Sequence, residues 1–123
     1  MRQLFHPSID DVTVEGILYA LSDPLRVQIF TRIVAAQCPQ ICAAFREVDE
    51  VSIPKSTLSQ HFKVLREAGL IKSERVGVEM HNSARCDEIA RRFGSLIPAI
   101  ISAHATQTRG KSINKPRKTR RRR

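Results

Sequence analysis

The 123-residue chain is 41% hydrophobic, enough for one small core, and neither its apolar runs nor its first residues, MRQLFHPSID, suit a membrane span or a signal core. A cytoplasmic protein is expected, and three cysteines, an odd number in a reducing compartment, argue against a disulfide scaffold. The formal net charge of +9 is unevenly placed: nine of the 21 basic side chains fall in 109–123, which has no acid, and the first 108 residues hold 12 basic against 12 acidic.

With no Trp and few aromatics, the core is expected to be aliphatic. Thr13–Leu21 places Val14, Ile17, Leu18 and Leu21 at helical spacing and predicts a first helix. Asp23-Pro24 then restarts a helix, with Asp23 as N-cap and Pro24 in the first helical position. Its apolar face is Leu25, Ile29, Ile33 and Val34, and it is expected to end near Ala36. After Pro39, Ile41–Val48 reads as a short third helix packing Ile41, Phe45 and Val48, and the acids of EVDEV are expected to point away from any phosphate.

The stretch Ser52–Leu70, SIPKSTLSQHFKVLREAGL, carries the most information. Ile53-Pro54 ends what precedes it, Lys55 or Ser56 opens a helix, and Gly69 is placed to close it in the left-handed conformation. Leu58, Phe62, Leu65 and Ala68 share a buried stripe. The other face offers Thr57, Ser59, Gln60, His61 and Lys63, the donors and acceptors that base edges and phosphates require. Lys55 and Ser56 sit at the N-terminus, where the helix dipole favours a phosphate. Two short extended runs, Ile71–Val76 and Val78–Asn82, then flank Gly77 and predict a hairpin bearing Lys72, Arg75 and His81.

Beyond the hairpin, Asp87 can cap a last helix to about Ala105, with Ile89, Phe93, Leu96, Ile97, Ile100 and Ile101 on one face and a kink at Pro98. So apolar a helix exceeds what one small core needs, and pairing with the first helix of a second copy would bury the excess. The body is expected to span residues 1–108. Residues 109–123 are expected to form a disordered polybasic tail with salt-sensitive phosphate affinity.

The stretches LSDPLRVQIF and KSTLSQHFKVLREAGLI, followed by the RVG turn, resemble the ArsR/SmtB family of small bacterial winged-helix repressors over roughly Val14–Ile101. The resemblance implies a mainly α fold with a small β-hairpin wing, a winged helix-turn-helix that dimerises through its first and last helices. It implies a repressor of its own operon that an inducer releases, with Ser56, Thr57, Ser59, Gln60, His61 and Lys63 facing double-stranded DNA. Lys55 and Arg75 complete the expected contacts.

The inducer is not legible. Neither a Cys-x-Cys pair nor carboxylates and histidines spaced along the last helix occur, and His104 stands alone there. Cys38 and Cys42, in CPQIC, are four apart and with Cys86 form the one candidate for soft-metal or redox sensing. No cofactor is expected. Ser56, Ser59, His61 and Asp49 do not make a catalytic set, because Ser59 and His61 are two apart on one helix, and no phosphate loop or nucleophile elbow occurs. The expected place in the cytoplasm is with the nucleoid. The alternative outside gene regulation is an architectural nucleic-acid binder driven by the basic tail, without sequence preference.

Overall fold

A computed structural model describes residues 4–36, 40–45, 47–48 and 51–120, with side chains at 40–43, 47–48, 51 and 110–120 outside the description. Helix α1, Val14–Ala20, begins where the Thr13 hydroxyl accepts the Gly16 amide. Helix α2, Pro24–Ala35, starts as expected, with the Asp23 carboxylate accepting the Leu25 N–H at 2.8 Å. On α2, Ile29 and Ile33 turn inward with Phe30, whereas Val34 is exposed. The face expected from the sequence is therefore rotated, because Phe30 outcompetes Val34 for the core.

The segment expected as a third helix takes another form. Strand β1, Gln40–Ile41, leads into a 3-10 turn, Cys42–Phe45, and strands β2, Glu47–Val48, and β3, Val51–Ser52, pair antiparallel. Here β1 instead finds hydrogen-bond partners on the edge of a longer strand, setting Gln40 opposite Asn82. Phe45 is fully buried as expected, packed edge-on against Phe62 at 5.4 Å. The side chains of Ile41 and Val48, and the acids of EVDEV, lie outside the described ones.

Helix α3, Lys55–Glu67, opens directly after Pro54. Gly69 ends it at φ +88°, and a Cβ there would run into the Val12 side chain. A residue with a left-handed backbone and no room for a methyl has to be glycine. Strands β4, Ile71–Val76, and β5, Glu79–Ala84, form the hairpin around Gly77-Val78, giving a sheet of order β1-β5-β4. The hairpin runs to Ala84, two residues past the expected end, because Ile71 pairs opposite Ala84.

The expected last helix is two. Helix α4, Cys86–Phe93, ends at Gly94, whose φ of +68° no continuing helix tolerates. Helix α5, Leu96–Arg120, follows. The break thus falls at the glycine and not at Pro98, which occupies the first turn of α5, where its missing N–H leaves no bond unmade. Asp87 lies inside the first turn of α4 and does not cap it. Helix α5 runs well past Ala105, into the segment expected to be disordered. No proline interrupts it between Pro98 and Pro116.

Ile17, Ala20, Ile29, Phe30, Ile33, Phe45, Ile53, Leu58, Phe62, Leu65, Leu70, Ile71, Ile89 and Ile97 form one continuous core. It is not purely aliphatic: Phe30, Phe45 and Phe62 are among its largest fully buried side chains. A single cluster fed by every helix fixes the angle at which α3 and the hairpin are held. Among the described residues, no helix is long and apolar enough to cross a membrane.

Candidate nucleic-acid interface

Helix α3 buries Leu58, His61, Phe62 and Leu65 and leaves Lys55, Ser56, Thr57, Ser59, Gln60 and Lys63 exposed. Six of the seven α3 residues expected to meet DNA thus share one solvent face of a helix whose other side is locked into the core. The first turn has no side-chain cap. Its leading amides are left without a side-chain partner, and the N-terminal end of a helix attracts an anion. Arg75, on β4, is exposed on the hairpin with Lys72. Glu74 and Glu79 are exposed on the same hairpin, so its charge is balanced. Its tip is apolar, with Val78 96% exposed and Val76 50%. His81 is turned toward Glu79, with its Nε2 3.2 Å from the carboxylate.

His61 is the exception. It is only 8% exposed and faces inward, with Nδ1 3.4 Å from Nη1 of Arg26. The correction follows from helical spacing: position 61 is three after Leu58 and four before Leu65, on the core side. Burial, the larger effect, and the Arg26 cation lower its pKa, against an opposing pull from Asp23. The ring is therefore held neutral and works from within the scaffold.

Arg26, within the LSDPLR stretch, was not singled out by the sequence pattern. It is a buried cation joining three elements. Its Nε donates to the Ala20 carbonyl at 2.7 Å and Nη2 to the Tyr19 carbonyl at 3.4 Å, satisfying the end of α1. Nη1 lies 3.6 Å from Asp23 Oδ2, and the guanidinium stacks on the Tyr19 ring at 5.6 Å. The fork thus ties α1 and the start of α2 to the inner side of α3. An Asp three residues before an Arg in one helical turn was the available signal.

A second unanticipated cluster lies at the root of the hairpin. Ser73 donates through Oγ to Asn82 Oδ1 at 2.7 Å and receives Nη1 of Arg66 at 3.2 Å. The Ser73 backbone N–H donates to Nε2 of His6 at 3.0 Å. Asn82 is fully buried, so its amide polarity is matched inside the sheet.

Two of the three thiols fall outside the described side chains. Cys38 lies outside them, the Cys42 side chain is not described, and no group of three metal-binding side chains forms among the rest. Cys86 is half-buried at the start of α4, and burial, with Asp87 adding to it, raises its pKa. A thiol so placed is a weak thiolate donor.

Residues 21–74 match the family model of a helix-turn-helix domain. Among solved structures the chain is similar to an ArsR-like transcriptional regulator from Rhodococcus sp. RHA1, with TM-score 0.52 and 18% sequence identity over 88% of this chain and 93% of that one. No curated protein matches. These findings bear out the winged helix-turn-helix fold and the resemblance read from the sequence.

Proposed function

We propose that this chain, a winged helix-turn-helix protein of the ArsR-like kind, is a sequence-reading repressor that acts as a homodimer on double-stranded DNA and leaves it when an inducer binds. One observation carries the reading: Ser56, Thr57, Ser59, Gln60 and Lys63 share the exposed face of a helix anchored to the core by Leu58, Phe62 and Leu65. In this reading α3 lies in the major groove, where Gln60 and the hydroxyls of Thr57 and Ser59 meet base edges. Lys55, Ser56 and Lys63 meet phosphates, and Arg75 acts from the wing.

The dimer would form through α1 and α5. Leu18 is 51% exposed on α1, and Ile100 and Ile101 on α5 are only partly covered by their own chain. A two-fold pair presents two reading helices to a palindromic operator. The basic segment 109–123, which continues α5, is proposed to add phosphate affinity without sequence preference.

The test is binding of the full-length chain to DNA from upstream of its own gene, against a scrambled duplex of equal length, across salt. The assay is repeated without residues 109–123. Preference for the upstream duplex that survives removal of the basic segment is the expected result. Equal binding to both duplexes, abolished when that segment is removed, would instead make the chain an architectural binder.

A further inference from the structure

Two imidazoles seat the DNA-reading unit, and each faces a donor that cannot reverse its role. His6, in the arm ahead of α1, presents Nε2 to the Ser73 backbone N–H at 3.0 Å. His61 presents Nδ1 to the Arg26 guanidinium at 3.4 Å. A backbone amide and a guanidinium donate without accepting, so each ring nitrogen fills its place only while unprotonated.

The surroundings add to the demand. His6 is faced by Arg66 of α3, Lys72 of β4 and Arg85 ahead of α4, while the Leu4 backbone pulls the other way. Arg85 is engaged with Glu88 at 2.6 Å and donates to the carbonyl of buried Pro7 at 3.0 Å, which leaves His6 among cations. His61 has Asp23 and Arg26 of α2 beside it, and Asp23 also holds Arg26. Strand β4 is at the edge of its sheet, and His6 covers one of its outward N–H groups.

We propose that these two imidazoles make the regulator acid-sensitive: protonated His6 unlatches the N-terminal arm from the root of the wing, protonated His61 presses α3 away from Arg26, and DNA is released. The inference rests on the DNA-binding reading above and names a regulation of that site. Protonation removes two hydrogen-bond acceptors and sets two cations against Arg26, Arg66, Lys72 and Arg85. The sign is diagnostic, because added positive charge alone tightens binding of a basic protein to phosphate.

The experiment follows the full-length chain from about pH 7.5 to about pH 5.5, the window of histidine titration. Backbone NMR reads hydrogen exchange at the Ser73 amide and the titration of both rings. Fluorescence anisotropy reads affinity for the duplex from upstream of the gene, and circular dichroism checks that the helices persist. The expected result is loss of Ser73 protection in step with His6 protonation and an affinity falling about tenfold, the scale of one broken hydrogen bond. His6→Gln, which keeps an accepting oxygen without a proton to gain, should hold Ser73 protected in acid and recover part of the affinity. Adding His61→Gln should recover the rest.

Ser73 protection that ignores pH, affinity that rises in acid, or a His6→Gln chain that follows the wild type would each overturn the inference. If no duplex binds at the higher pH, the DNA reading has failed, and Ser73 exchange in the wild-type chain still decides whether the arm is an acid-released latch.

Discussion

Single positions divide sharply in how much of their role the chain spelled out. Gly69 was legible because only one backbone conformation closes a helix there, and its contact with Val12 adds a reason the sequence could not show. Gly69→Ala should cost about 2–4 kcal/mol in chemical denaturation, from strain at positive φ together with overpacking against Val12. His61 misled, since its chemistry suits a base edge while its position suits the core. Arg26 was silent because buried arginines are rare, yet it holds two carbonyls at the end of α1. Arg26→Ala should destabilise the fold by about 2–3 kcal/mol, seen as an earlier denaturation midpoint, because it removes the donor to the Ala20 carbonyl and the partner of Asp23 and His61. On the exposed face, Gln60→Ala should flatten base preference by about 1–3 kcal/mol in a binding-site selection if it makes a bidentate contact. Lys63→Ala should weaken all sequences alike.

Whole elements were readable wherever a local signal stood alone. Asp23-Pro24 opened α2, Ile53-Pro54 preceded α3, and Gly77 turned the hairpin. They failed where the deciding partner is distant in the chain: β1 exists because it pairs with β5, setting Gln40 opposite Asn82, which no local period encodes. In the last helical region two breakers competed, and Gly94 won over Pro98 because proline is tolerated in a first turn and a left-handed residue is not. The continuation of α5 to Arg120 was illegible for a further reason, since the apolar stripe stops long before the helix does. Removing residues 109–123 should make the dependence of DNA affinity on salt shallower, by roughly 0.9 in logarithmic slope for each phosphate the segment neutralises. Preference for the operator should stay.

At the scale of the molecule, the fold class was legible and the assembly only by inference from uncovered apolar side chains. If the proposed dimer forms through α1, Leu18→Glu should shift it toward monomer in sedimentation, since burying a Leu contributes about 1.5–3 kcal/mol per copy and a carboxylate in its place resists burial. Operator affinity should fall with it. Stability should also depend on pH in one direction. His6 and His61 both have folded pKa values lowered from 6.5, so protons favour the unfolded chain. The stabilisation is complete above that value and erodes as pH falls below it toward the lowered pKa values, which thermal melts across that window would record. The bare start of α3 has its own thermodynamic consequence. A phosphate seated there would finish the helix from outside the chain, so DNA becomes part of what keeps the protein folded, and its melting temperature reports how well it is bound.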